Sequence, residues 1–160
     1  MSPGLRFIDN ALLDEVGVEA RQSPRGRKNR NFHSADDCPA HRLLNAIEPG
    51  SYVAPHRHLD PHKDETMIVL RGRLGLVIFD EAGGVLRTAV LAAGADSFGV
   101  DIPHGSWHTV LALDPGTVFF EAKAGPFRAL TAAERASWAP PEGDAAATPY
   151  GEWLRRLFPR

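Results

Sequence analysis

The chain has 160 residues, 43% apolar and 24% charged, which suits one globular domain with a sizeable core and excludes a disordered polymer. A net charge of −2 and an isoelectric point near 6.4 give the molecule no overall attraction to nucleic acid or anionic membranes. No apolar run approaches the ~20 residues of a bilayer span, and the opening MSPGLRFIDNALLDEVG lacks the basic-then-apolar pattern of a secretory signal. The single cysteine, Cys38, rules out an internal disulfide, so a reducing cytoplasm is the expected compartment. Cys38 lies in the polar loop SADDCPAH and reads as incidental rather than as a nucleophile.

In chain order, Phe7, Leu12, Leu13 and Val16 recur near the helical period and predict a short helix over 5–20. RQSPRGRKNRN, residues 21–31, is basic and turn-rich and reads as loop. From HRLLNAIEPGSYVAPH onward, short apolar runs alternate with Gly/Pro turns. The expected strands are 42–48, 51–55, 66–71, 73–80, 85–91, 96–100, 107–113 and 117–123. In GRLGLVIFD, Leu74, Leu76 and Ile78 share one face and Val77 and Phe79 the other, as in a sheet covered on both sides. DEAGGV is a tight hairpin signal. So many short strands predict an all-β sandwich or barrel. TAAE at 131–134 fits a capping box, and TPYGEWLRRLF predicts a helix capped by Thr148 with an apolar stripe of Trp153, Leu154 and Leu157. The expected layout is one domain over 1–160: N-terminal helix and basic loop 1–40, β-barrel core 41–126 and helical tail 127–160.

The chemistry is concentrated in PHRHLDPHKDE, residues 55–65, which holds three of the seven histidines. On a strand, His56 and His58 leave the same face with Cα atoms about 6.6 Å apart, close enough for two imidazoles to share an ion. A hairpin would bring Glu65 back beside them. His108, after the tight turn DIPHG, heads another apolar strand. Neutral imidazole and ionised carboxylate are already in ligand form at pH 7.

GSYVAPHRHLDPHKDETMIVLRG, residues 50–72, resembles the first cupin motif, and PHGSWH, residues 103–108, the second. That resemblance implies a double-stranded β-helix (jelly-roll barrel) with one or two C-terminal helices. It also implies an interior metal held by His56, His58, Glu65 and His108. The spacer between His58 and Glu65 has six residues and contains His62, so His62 is a second candidate for the third position. Glu65 is favoured by its six-residue distance to Gly72. SPRGRKNRNFH, HRLLNAIEPGSYVAPHRH, PHKDETMIVLRGRLGLVIFD and DIPHGSWHTVLALDPGTVFFEAKAGPF together resemble the WbuC family of cupin-fold metalloproteins, named from a gene of bacterial O-antigen clusters. The resemblance implies fold and metal more firmly than substrate.

A nitrogen–oxygen donor set without sulfur suits Fe, Mn, Ni, Co or Zn. Arg25, Arg27 and Arg30, with His33 and Arg42, form a candidate anion site for a sugar phosphate or nucleotide sugar; the alternative is a solvated face. Glu121 is a candidate acid or base if buried, or an outward residue paired with Lys123. His62 is either a ligand or a cavity-mouth group able to move a proton. Tyr52 and Trp107 read as packing or as substrate-stacking residues. The expected function is a metal-dependent sugar isomerase or epimerase or a dioxygenase, with a non-catalytic ligand-binding cupin as the alternative. Edge strands make a homodimer plausible on fold grounds.

Overall fold

The computed structural model describes residues 4–159. After helix α1 (Asn10–Gln22) come eight strands: β1 (Arg27–Asn31), β2 (Ala40–Ile47), β3 (Glu65–Arg71), β4 (Arg73–Phe79), β5 (Val85–Ala92), β6 (Gly99–Ile102), β7 (Trp107–Ala112) and β8 (Thr117–Ala124). A 3₁₀ turn (Ala132–Glu134) and helix α2 (Ala147–Arg156) complete the chain. The strands form two antiparallel sheets, β1-β2-β8-β3-β6 and β5-β4-β7, the two walls of a jelly roll. Among the described residues no helix is long and apolar enough to cross a membrane.

Period-two alternation sorts each strand between the barrel interior and an outer layer. Met67, Val69, Leu74, Leu76, Val110 and Phe119 meet inside. The outer side of the larger sheet offers Leu44, Ala46 and Val118 to Leu13, Val16 and Ala20 of α1. The outer side of the smaller sheet offers Val77, Phe79, Trp107 and Leu111 to Leu154 and Phe158 of the tail. The two-faced reading of β4 is therefore borne out, and so is the DEAGGV hairpin between β4 and β5.

Several expectations are corrected. The helix begins at Asn10, where the Asp9 carboxylate accepts the Leu12 N–H and caps it; Phe7 lies outside and exposed. The basic segment is not all loop: Arg27–Asn31 pair with Asn31↔Leu43 through Arg27↔Ile47, so the barrel starts before residue 41. A charged edge strand resists further strand pairing, which is why it carries no apolar signature. Residues 51–55 lie outside the named strands; His56 alone bridges to His108 and Arg135. Thr148 does not cap α2: it lies inside the helix, while the Asp144 carboxylate takes the Ala146 N–H. TAAE does form the expected capping box, the Glu134 carboxylate accepting the Thr131 N–H, but it opens a single 3₁₀ turn rather than an α-helix.

Gly72, between β3 and β4, adopts φ +75°, and a Cβ there would lie 2.5 Å from Thr117 Oγ1 and 2.9 Å from Thr117 Cα. The left-handed backbone alone costs a larger residue roughly 1–2 kcal/mol. Gly72→Ala is expected to lower unfolding stability by more than about 2 kcal/mol in urea titration. Gly116→Ala, with φ +70° and open space around its Cβ, should lose only the backbone contribution.

Candidate metal centre

The inward positions change character along the barrel axis. On β3, Glu65 precedes Met67 and Val69; on β7, His108 precedes Val110 and Ala112; on β8, Phe119 precedes Glu121 and Lys123. One end of the interior is therefore an apolar floor. The other is a polar cavity of about 630 Å³ onto which His56, His58, Glu65, His108, Glu121 and Lys123 face.

Backbone pairing holds the His-x-His segment in place. The His56 N–H donates to His108 O and the His108 N–H to His56 O, each at 3.0 Å, which sets the two histidines opposite one another. The Gly105 N–H donates to His58 O at 2.6 Å, so the DIPHG turn fixes His58 as well. From outside, Glu134 O accepts the Arg57 N–H and the Glu134 carboxylate accepts the Leu59 N–H. The 3₁₀ turn thus braces the segment against β7.

The side chains then converge. Donor atoms of His56, His58 and Glu65 all lie within 4.8 Å of one another. The His58 Nε2 is 2.7 Å from Glu65 Oε1, and the His108 Nε2 is 3.0 Å from Glu65 Oε2. The His56 and His108 rings lie 4.6 Å apart. The His56 Nδ1 donates to Ala54 O at 3.0 Å, and the His108 Nδ1 to Ser106 O at 2.9 Å; a carbonyl can only accept. In the neutral ring each Nε2 then carries a lone pair turned into the cavity. For His108 that lone pair faces a carboxylate oxygen, an arrangement stable only with a proton or a cation between them. Two donors each about 2.1 Å from one ion, at right angles, stand about 3 Å apart. The backbone-anchored Nδ1 is also the usual support of a metal-bound imidazole. The donor set fits a divalent transition metal with nitrogen and oxygen preference.

Charge shapes the rest of the pocket. Burial would raise the Glu65 carboxyl, but hydrogen bonds from His108 and His58 and the Lys123 ammonium outweigh it and hold Glu65 well below the usual carboxylate range. Burial, then the His108 charge, pushes His56 down to about 4. Glu121 is buried and raised by desolvation, partly offset by Lys123 at 3.3 Å and by the Asn45 amide, which donates to it at 2.9 Å. Burial lowers the Lys123 ammonium, but Glu121 and Glu65 prevail and raise it. Lys63, also buried, donates to Ala124 O and Pro126 O and so is a structural cation.

The other expected site residues separate. His62 is exposed and is not among the residues lining the cavity; its backbone N–H donates to the Asp60 carboxylate. Arg25 and Arg27 line the cavity, but both are engaged by Glu142 of the tail, Arg25 through two 2.7 Å hydrogen bonds. Arg30 turns the other way and pairs with Glu19 of α1. His33 stacks on His41 and lies with Arg42 along a separate surface groove. The Tyr52 hydroxyl donates to Pro140 O, and Trp107 is buried with its N–H on Glu81, so both pack rather than stack on a ligand. Sequence reasoning reaches Lys123 only as an outward partner of Glu121. Its spacing of two from Glu121 on a strand places both on one face, and that face is the interior.

Residues 8–91 match the family model described as a domain of unknown function, DUF6016. The chain belongs to the DUF6016 family. A search of curated proteins finds no match. Among solved structures, the DUF6016 chain resembles KdgF from Halomonas sp. at 19% identity, with 66% of this chain and 84% of that one covered and a TM-score of 0.51. SPY1581 from Streptococcus pyogenes aligns at 12% identity over 79% of this chain and 92% of that one, TM-score 0.52. A cupin-2 domain protein from Shewanella frigidimarina aligns at 22% identity over 61% and 80%, TM-score 0.46. At these identities the likeness concerns the fold, a cupin jelly roll.

The His56 imidazole is held neutral in the fold and protonates near pH 6.5 once unfolded. Its contribution is thus complete above about pH 6.5 and is lost as pH falls toward about 4. Metal-free protein is expected to lose up to about 3 kcal/mol over that interval by urea unfolding in chelator. His56→Gln should show a shallower decline.

Proposed function

We propose that this DUF6016 protein binds one divalent transition metal inside its barrel through His56, His58, Glu65 and His108, and presents it to a small anionic metabolite. The observation carrying this reading is the His108–Glu65 contact. An imidazole whose Nδ1 is committed to a backbone carbonyl turns its Nε2 onto a buried carboxylate oxygen 3.0 Å away, with two more imidazoles beside it. Four converging titratable groups, Glu65 and His108 buried and His56 and His58 half-buried, would without a shared cation cost several kcal/mol in a fold of only about 5–15 kcal/mol net stability.

When bound, the ion would act as a Lewis acid on a carbonyl or hydroxyl oxygen. The protein's own residues supply the surroundings. Glu121, raised by burial, is the group placed to take or give a proton. The apolar floor of Met67, Val110 and Phe119 limits water and seats the carbon skeleton of a small ligand. The sequence resemblance to the WbuC family supports a sugar-derived metabolite of bacterial polysaccharide assembly as the ligand, and isomerisation or epimerisation as the reaction class.

Elemental analysis of gently purified protein tests the metal directly. Wild type is expected to hold close to one equivalent per chain, and the His56→Ala/His58→Ala double variant less than about a tenth of that. With metal at about a thousand times its Kd, wild type should gain about 4 kcal/mol, and the variant nothing. Equal, substoichiometric metal in both proteins would refute the assignment.

A further inference from the structure

We propose that Lys123 is the anchor for a substrate carboxylate, which makes a carboxylate-bearing small molecule, rather than a phosphate ester, the natural ligand of this cavity. The inference rests on the metal reading above and extends it from the ion to the ligand.

The Lys123 Nζ lies within the polar end of the barrel, 2.7 Å from Glu65 Oε1, 3.3 Å from Glu121 Oε1 and 3.4 Å from His58 Nε2. Its side chain is 21% exposed, and that exposure opens onto the cavity. An ammonium has three donors and no acceptor capacity. Here it spans two carboxylates, one of which belongs to the proposed metal set. Once Glu65 serves an ion, its charge is shared, and a dication stands close to the ammonium. Glu121 still holds the lysine from the other side, itself fixed by Asn45. The donor that faced Glu65 then needs a new acceptor, because buried polar groups are seldom left unpaired. The ion, Lys123, Glu65 and Glu121 together leave the pocket net positive in either protonation state of Glu121. An anionic oxygen entering beside the ion meets both needs.

Carboxylate is favoured over phosphate by the donors left over. Phosphate recognition draws on arginine forks or several converging donors. The mouth arginines, Arg25 and Arg27, are already committed to Glu142, whose carboxyl their hydrogen bonds hold near 2. Lys63 is spent on two carbonyls. Lys28 and Arg128 also line the cavity, but both are exposed, whereas Lys123 alone among the lining cations stands against the Glu65 carboxylate. A phosphate dianion at Lys123 would also sit against Glu121, whereas a monocarboxylate needs only the one ammonium.

The test uses full-length protein loaded with Co(II), with cobalt content measured before any anion is added. Glycolate is the carboxylate probe, with inorganic phosphate and glucose as comparisons. Binding is read by calorimetry and by the cobalt absorption spectrum. Wild type is expected to bind glycolate with a spectral change, and at least about tenfold more tightly than phosphate or glucose. Lys123→Met should keep its cobalt and lose at least about tenfold in glycolate affinity, and Lys123→Arg should recover part of the loss. Unchanged glycolate affinity in cobalt-loaded Lys123→Met would overturn the proposal. So would tighter phosphate than glycolate binding by wild type, a comparison that needs no variant to fold. Failure of wild type to take up cobalt would instead overturn the metal reading, and it is seen before the anion step.

Discussion

The Glu65 carboxylate is the hub of this molecule. It is almost wholly buried, and each of its oxygens faces a nitrogen: His58 and Lys123 at Oε1, His108 at Oε2. An isolated carboxylate in such surroundings would be neutralised or would unfold the barrel. The three partners come from the His-x-His segment, β7 and β8, parts of the chain far apart in sequence. Their convergence ties both walls of the barrel together at its polar end. The same convergence supplies a nitrogen–oxygen donor set of the kind that holds a divalent ion.

Much of the remaining structure serves that end. The apolar floor gives the barrel a conventional core without using the positions nearest Glu65. Helix α1 and the C-terminal tail cover the outer faces of the two sheets, leaving the interior free to be divided between packing and chemistry. The tail has a second task. Its 3₁₀ turn holds Arg57 and Leu59 by hydrogen bonds from either side of His58, and its Glu142 pins the arginines at the cavity rim. The helical tail is thus part of the site's scaffold.

The legibility of these features followed physical lines. Apolar alternation found β2, β3, β4, β5, β7 and β8, because their burial on one or both faces writes a period into the residues. It missed β1, whose residues Arg27–Asn31 are chosen for an exposed edge and carry no apolar signal. It extended a strand over 51–55, where Tyr52 and Val53 pack apolar surface without joining a ladder. The donor cluster was legible because two histidines at spacing two, a hairpin and a glycine-bounded turn constrain direction as well as identity. The arginine run was not, because charge composition says nothing about which acid a side chain meets. Glu142 lies more than a hundred residues away from Arg25 and Arg27. Lys123 was hidden by habit rather than by physics: a lysine is expected outside, but the spacing from Glu121 placed it inside.

The most direct check of the account is where an ion sits in the metal-loaded protein, read from anomalous diffraction at the metal's absorption edge. The account predicts a single strong peak inside the barrel, within about 2.0–2.3 Å of one nitrogen each from His56, His58 and His108 and of a Glu65 oxygen. A peak elsewhere, at the rim arginines or the surface groove, with Glu65 still bound only to protons and Lys123, would contradict it.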